Sequence, residues 1–156
     1  MTLIVDVAAN GHRVPISLAR VRQIATAVLK AERVRDALVS ITFVSRREIA
    51  RLNKAHVGHA GATDVISFAL GKTPAERSRS AVVGDIYIAP DVARANAIHF
   101  GGSIREEIAR LVVHGTLHVL GHDHPEGDGR TTSPMWERQE RLLAALGRRA
   151  RVGTSR

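Results

Sequence analysis

Residues 104–120 (IREEIARLVVHGTLHVL) carry the longest helical pattern in the chain, and their second half is its most apolar stretch. Ser103 and Glu106 have capping-box spacing at the start of this pattern, and Gly121 supplies a stop after it. A helix this apolar belongs at the centre of a domain. Yet it carries His114 and His118, spaced i, i+4 so that both project from one face. Two imidazoles among Leu111, Val112, Val113, Leu117, Val119 and Leu120 carry a desolvation cost unless each finds a partner. A lone buried histidine is most often a hydrogen-bonded core residue. Here His124 follows three residues beyond the stop, close enough to fold back as a third ligand. Three imidazoles with a fourth position left open to water form the usual catalytic zinc arrangement. The expected metal ligands are therefore His114, His118 and His124, with one Zn2+ per chain.

The pattern is not that of the H-E-x-x-H peptidases, whose glutamate after the first histidine acts as general base. That position is Gly115 here. A glycine inside a helix costs about 1 kcal/mol relative to alanine, so it needs a reason. Close backbone approach at the site is one, and tight packing of the helix is the other. Asp123 is the nearest carboxylate. It is a candidate for a catalytic role, set against the reading in which it only holds a ligand histidine in place.

Around this helix the chain alternates strand and helix patterns. Strands are expected at 2–7, 38–44, 63–70 and 84–89. Ser17 should cap a helix with Leu18, Val21, Ile24, Val28 and Leu29 on one stripe. Ser45 and Glu48 open a short helix through Leu52. Pro90 starts a helix that Gly101–Gly102 ends, and Ser133–Pro134 start a last one reaching Leu146–Gly147. Loops are expected at 56–62, 71–81 and 125–132. The fold class expected is α+β (α/β-like), one domain over residues 1–147 with a four-stranded mixed sheet and about five helices. The metal site lies at the end of the long central helix. Residues 148–156 read as a basic disordered tail.

Charge points to a partner. The 156 residues carry a formal net charge of +8, and the sequence pI is about 11.3. Such a bias favours a polyanion such as nucleic acid, although an arginine excess can also follow genome composition. Aromatics make up 3%, too few for a stacking platform. There is no cysteine, which excludes disulfides and thiolate metal sites and suits a reducing compartment. Met1–Val7 reads as a strand rather than a secretory leader, and no apolar run approaches the roughly 20 residues of a membrane span.

The segment His114-Gly115-Thr116-Leu117-His118-Val119-Leu120-Gly121-His122-Asp123-His124 resembles the H-G-x-L-H-L-x-G-[YF]-D-H signature of the YbeY family. Its members are zinc-binding, single-strand-specific endoribonucleases of ribosomal RNA maturation and ribosome quality control. Glu48-Ile49-Ala50-Arg51-Leu52-Asn53, Thr63-Asp64-Val65-Ile66-Ser67-Phe68 and Gly84-Asp85-Ile86-Tyr87-Ile88 resemble three further blocks of that family in the same order. Met135 and Glu140 also fall in place, and the resemblance spans roughly residues 35–146. It implies zinc on His114, His118 and His124, and a metal at the mouth of a basic groove. It also implies a cytoplasmic protein acting on ribosomal RNA and the small ribosomal subunit, with no membrane or DNA partner.

Two positions depart from the pattern. His122 stands where the family has an aromatic residue, as an alternative ligand or a surface residue. Val57 stands where L-N-x-x-[YF]-R-G has its arginine, a residue the resemblance links to RNA cleavage. Lys54, His56 and His59 are the nearest substitutes for RNA contact, with His59 also a catalytic candidate. The expected function is a zinc-dependent endoribonuclease. The alternatives are a non-catalytic, zinc-stabilised ribosome-assembly or RNA-binding factor, and a hydrolase of another substrate such as a peptide, against which Gly115 counts.

Overall fold

The computed structural model describes residues 1–57, 63–70, 81–125 and 127–154. Its frame is a sheet of β1 (Thr2–Ala8), β2 (Asp36–Phe43), β3 (Val65–Leu70) and β4 (Val82–Ile88), in the order β1-β2-β4-β3. The first three strands in that order run parallel, and β3 lies antiparallel on the edge with Ile66 opposite Tyr87. Parallel neighbours cannot be joined by a hairpin, and α1 (Leu18–Ala31) makes the crossover from β1 to β2. Ser17 Oγ accepts from the Arg20 amide and caps α1, whose buried stripe is Val21, Ile24, Ala25, Val28 and Leu29.

That stripe meets one face of the sheet, where Val5, Val39, Ile41, Phe43, Ile86 and Ile88 are buried in the main core. The long helix α4 (Ile104–Val119) completes the layer. It packs against α1, β3 and β4, and against α3 (Pro90–Phe100) and α5 (Pro134–Thr154). Every residue from Leu111 to Leu117 is buried, as the apolar pattern requires. A smaller cluster of Val44, Ile49, Ile66, Ala89 and Val92 joins α2 (Arg46–Leu52) to the other side of β3 and β4. Among the described residues the expected four-stranded mixed sheet is present, with five α-helices where about five helices were expected. Among the described residues, no helix is long and apolar enough to cross a membrane.

The ends of several elements differ from the sequence reading. β2 begins at Asp36 because parallel pairing with β1 draws it in: Thr2 pairs with Asp36, whose Oδ1 accepts from the Thr2 amide at 2.9 Å. β3 starts at Val65, not 63, and β4 spans Val82–Ile88, not 84–89. α2 does not give way to loop at 56. It continues into a π turn over Asn53–Val57, a register that propensity does not reveal. Residues 58–62 and 71–80 of the expected loops lie outside the described residues. Gly127–Thr132 is a 3-10 helix, where a loop was expected.

The last helix spans Pro134–Thr154, where the sequence reading ended it at Leu146–Gly147. One glycine costs a helix about 1 kcal/mol. Arg148, Arg149, Ala150 and Arg151 are all strong helix formers, so Gly147 is not a stop.

Candidate metal centre

The C-terminal end of α4 sets the site. Gly121, with φ 99°, lets the chain reverse. The Gly121 amide donates to the His118 carbonyl and the His122 amide to the Leu117 carbonyl, both at 3.0 Å. This is the double closure of a Schellman turn, which glycine favours. The reversal carries His124 back beside the face that bears His114 and His118. Ring centroids lie 4.6 Å apart for His114 and His118, 5.2 Å for His114 and His124, and 5.0 Å for His118 and His124. One nitrogen from each ring falls within 4.8 Å of the other two.

Hydrogen bonds identify which nitrogen that is. His118 Nδ1 lies 2.9 Å from the His122 carbonyl oxygen, and His124 Nδ1 lies 2.9 Å from the Pro125 carbonyl oxygen. A carbonyl only accepts, so each Nδ1 carries the proton. His114 Nδ1 lies 2.6 Å from Gln139 Oε1. The Gln139 amide is oriented by its other end, where Nε2 donates to Glu140 Oε2 at 3.2 Å. Glu140 is gripped by Arg110, with Nε to Oε2 and Nη2 to Oε1 both at 3.1 Å. His114 Nδ1 therefore donates as well. Three Nε2 lone pairs remain, turned toward one another, a donor set suited to a cation.

Burial works against protonation of His114 and His118. It is the main cause that lowers His114 from its ordinary pKa to about 4, aided by the charges of His118, Arg130 and His124 against the Gln139 hydrogen bond. His118 is lowered too, first by burial and then by His124. His114 is 5% exposed, whereas His118 and His124 are half-buried. They face a cavity of about 480 Å³, shared with Asn53, Asp64 and Arg130 and walled by β3 through Ile66 and Ser67. The three histidines are thus positioned to bind one metal ion, with open space beside it for a substrate.

The other residues singled out in the sequence fall as follows. His122 turns away: its Nε2 lies 3.1 Å from Glu32 Oε1, while its carbonyl serves His118. Asp123 lines the cavity, and its Oδ1 accepts from the His124 amide at 2.8 Å, so it braces the turn. Lys54 and His56 are exposed on the π turn, and the His56 ring meets Phe68 edge-on at 5.4 Å. Neither is among the described residues lining the cavity. His59 lies outside the described residues. Gly115 is explained by packing, since a Cβ there would sit 2.8 Å from Ile86 Cγ2.

The sequence reading did not single out Gln139, Arg130 or Asn53. Gln139 left one signal: it is the polar member of the buried stripe Met135, Gln139, Leu142 and Leu146, where an apolar residue would be expected. Replacing it with leucine keeps most of its volume but leaves His114 Nδ1 without its acceptor. Gln139→Leu should weaken metal affinity about ten- to a hundredfold, as loss of an outer-shell partner typically does. A metal titration checks this, and unchanged affinity would mean that Gln139 does not hold the imidazole.

Fold and site together define a mixed α+β domain that presents three histidines to an open cavity. Its relatives narrow that class. The family profile "Endoribonuclease YbeY" matches residues 7–147. "Endoribonuclease YbeY" of Staphylococcus aureus strains Newman and JH9 is 41% identical over 118 residues, covering 72% of this chain and 74% of each relative. The solution structure of TM1509 from Thermotoga maritima superimposes with a TM-score of 0.63 at 26% identity, over 96% of this chain and 93% of that one. The chain belongs to the YbeY family.

Proposed function

We propose that this chain is a zinc-dependent endoribonuclease that cleaves single-stranded ribosomal RNA in the cytoplasm, with His114, His118 and His124 as the metal ligands. The observation that carries the reading is the convergence of three imidazoles on an open cavity in a chain whose relatives bear the name endoribonuclease. An all-imidazole set favours zinc over the oxygen-seeking cations. Zinc held there supplies Lewis acidity to a water or a phosphoryl oxygen.

The chain's own residues do the rest. Gln139 and the His122 and Pro125 carbonyls hold each imidazole in the tautomer that leaves Nε2 free. Asp123 fixes the turn that presents His124. The net charge of +8 draws in a polyanion, and Lys54 and His56 stand exposed for contact with its backbone. A second reading, a metal-stabilised RNA-binding factor without cleavage, is favoured by Val57, which offers no charge where the family pattern has arginine.

Incubating metal-assayed protein with single- and double-stranded RNA separates the two. Cleavage confined to single strands is expected. Binding should weaken about fiftyfold for four phosphate contacts when salt rises from 50 to 200 mM, because neutralised phosphates release counterions. Binding without cleavage would favour the second reading, and no binding at low salt would defeat both.

A further inference from the structure

Arg130 sits in the 3-10 helix between the histidine turn and α5. Its backbone is pinned, because the buried Ser133 donates from Oγ to the Arg130 carbonyl at 2.8 Å. Its side chain reaches the cavity that holds His114, His118 and His124, and it is the only lysine or arginine among the described residues lining that cavity. It also lines a neighbouring cavity of about 440 Å³, which contains Trp136 and Asn96 and shares His114 and Asp64 with the first. Its Nε is buried and has no hydrogen-bond partner among the described residues.

A buried guanidinium N–H without an acceptor costs free energy that native structures rarely leave unanswered. Among the described residues no protein group answers it. The imidazoles of the cavity already use their Nδ1 protons on oxygens, and of the carboxylates that line it Asp64 accepts from Asn96 Nδ2 at 3.2 Å and Asp123 from the His124 amide at 2.8 Å. An acceptor that enters the cavity beside the three histidines would complete Arg130. Guanidinium geometry matches a phosphate, which takes parallel N–H bonds from such a fork.

We infer that Arg130 binds a phosphate of the RNA strand within the metal cavity and seats the phosphodiester beside the three histidines. This rests on the RNA-cleaving reading for its substrate. It also supplies, from a different part of the chain, the cation that Val57 does not. The shared wall with the second cavity gives the strand a path past Trp136, so the bound phosphate lies at the junction of two spaces and not at a dead end.

The test uses the full-length, metal-loaded protein and a fluorescein-labelled, single-stranded 2′-O-methyl oligoribonucleotide, which binds but cannot be cut through its 2′-oxygen. Arg130→Ala should weaken binding about ten- to a hundredfold, the loss of charge-assisted contacts to one phosphate. Arg130→Lys keeps the charge but not the fork and should fall between. Both variants should keep one metal per chain. Arg141→Ala, which removes an exposed arginine of α5 that lines neither cavity, should change binding by no more than about twofold.

If Arg130→Ala binds like the wild type, weakens no more than Arg141→Ala, or loses its metal, the inference is overturned. Cleavage of unmodified RNA is scored in parallel. Wild-type cleavage that Arg130→Ala leaves unaltered would sink the inference and leave the nuclease reading standing. Binding that depends on Arg130 without any wild-type cleavage would do the reverse.

Discussion

His118→Ala is expected to abolish stoichiometric metal binding and to lower RNA cleavage by about three orders of magnitude. The first effect follows from the ligand count, because two imidazoles and a gap no longer hold zinc against water. The second follows because metal Lewis acidity is worth several kcal/mol of barrier, and each 1.36 kcal/mol is tenfold. Stability should fall as well. A metal present at a thousand times its dissociation constant stabilises the native state by about 4 kcal/mol. Chelated wild-type protein therefore provides the comparison: its melting temperature should approach that of the variant, and adding zinc back should raise only the wild type. Metal content equal to the wild type in His118→Ala would remove this ligand from the assignment.

Gly84→Ala should be the most damaging small substitution outside the histidine turn. A Cβ at this position would lie 2.3 Å from Val119 Cγ1, 2.7 Å from Val119 Cγ2 and 3.1 Å from the Phe68 carbonyl oxygen. Val119 is 1% exposed and β-branched, so it has no free rotamer into which to retreat. The Phe68 carbonyl belongs to the neighbouring strand and cannot move without the ladder. The strain must therefore be relieved by pushing the end of α4 off the sheet. Overpacking of this kind costs about 1–3 kcal/mol. The end that moves is the end that carries His118 and the reversal at Gly121. Metal affinity should fall together with the unfolding free energy, which denaturant melts and metal titrations measure side by side. A loss of stability with metal affinity untouched would show that the turn is held by its own hydrogen bonds alone.

The parts of this architecture that are local in sequence were legible, and the parts that depend on pairing were not. His114 and His118 share a helix face by periodicity, and His124 joins them because Gly121 must end the helix. Ser17, Ser45 and Ser103 cap the helices at which their side chains were placed. The edge position and antiparallel sense of β3 are different, since strand order is decided by tertiary packing that no single strand encodes. Residues His122 and Gln139 show the same limit. Which way His122 turns is decided by Glu32, far away at the end of α1. Gln139 reads as an oddity in an apolar stripe until His114 is placed against it. Arg130 looked like one arginine among many, because burial of its Nε is a property of the cavity and not of its neighbours in the chain.

The three imidazoles come from the single stretch 114–124, but the group that orients the first of them lies 25 residues further on. Closing the turn costs little loop entropy, whereas bringing Gln139 back requires α5 to dock on α4. The centre thus joins a local turn to a long-range docking, and the tautomer of His114 is fixed only in the docked fold. On the proposed reading, tight retention of the ion reports on the seating of the final helix as well as on the histidine turn.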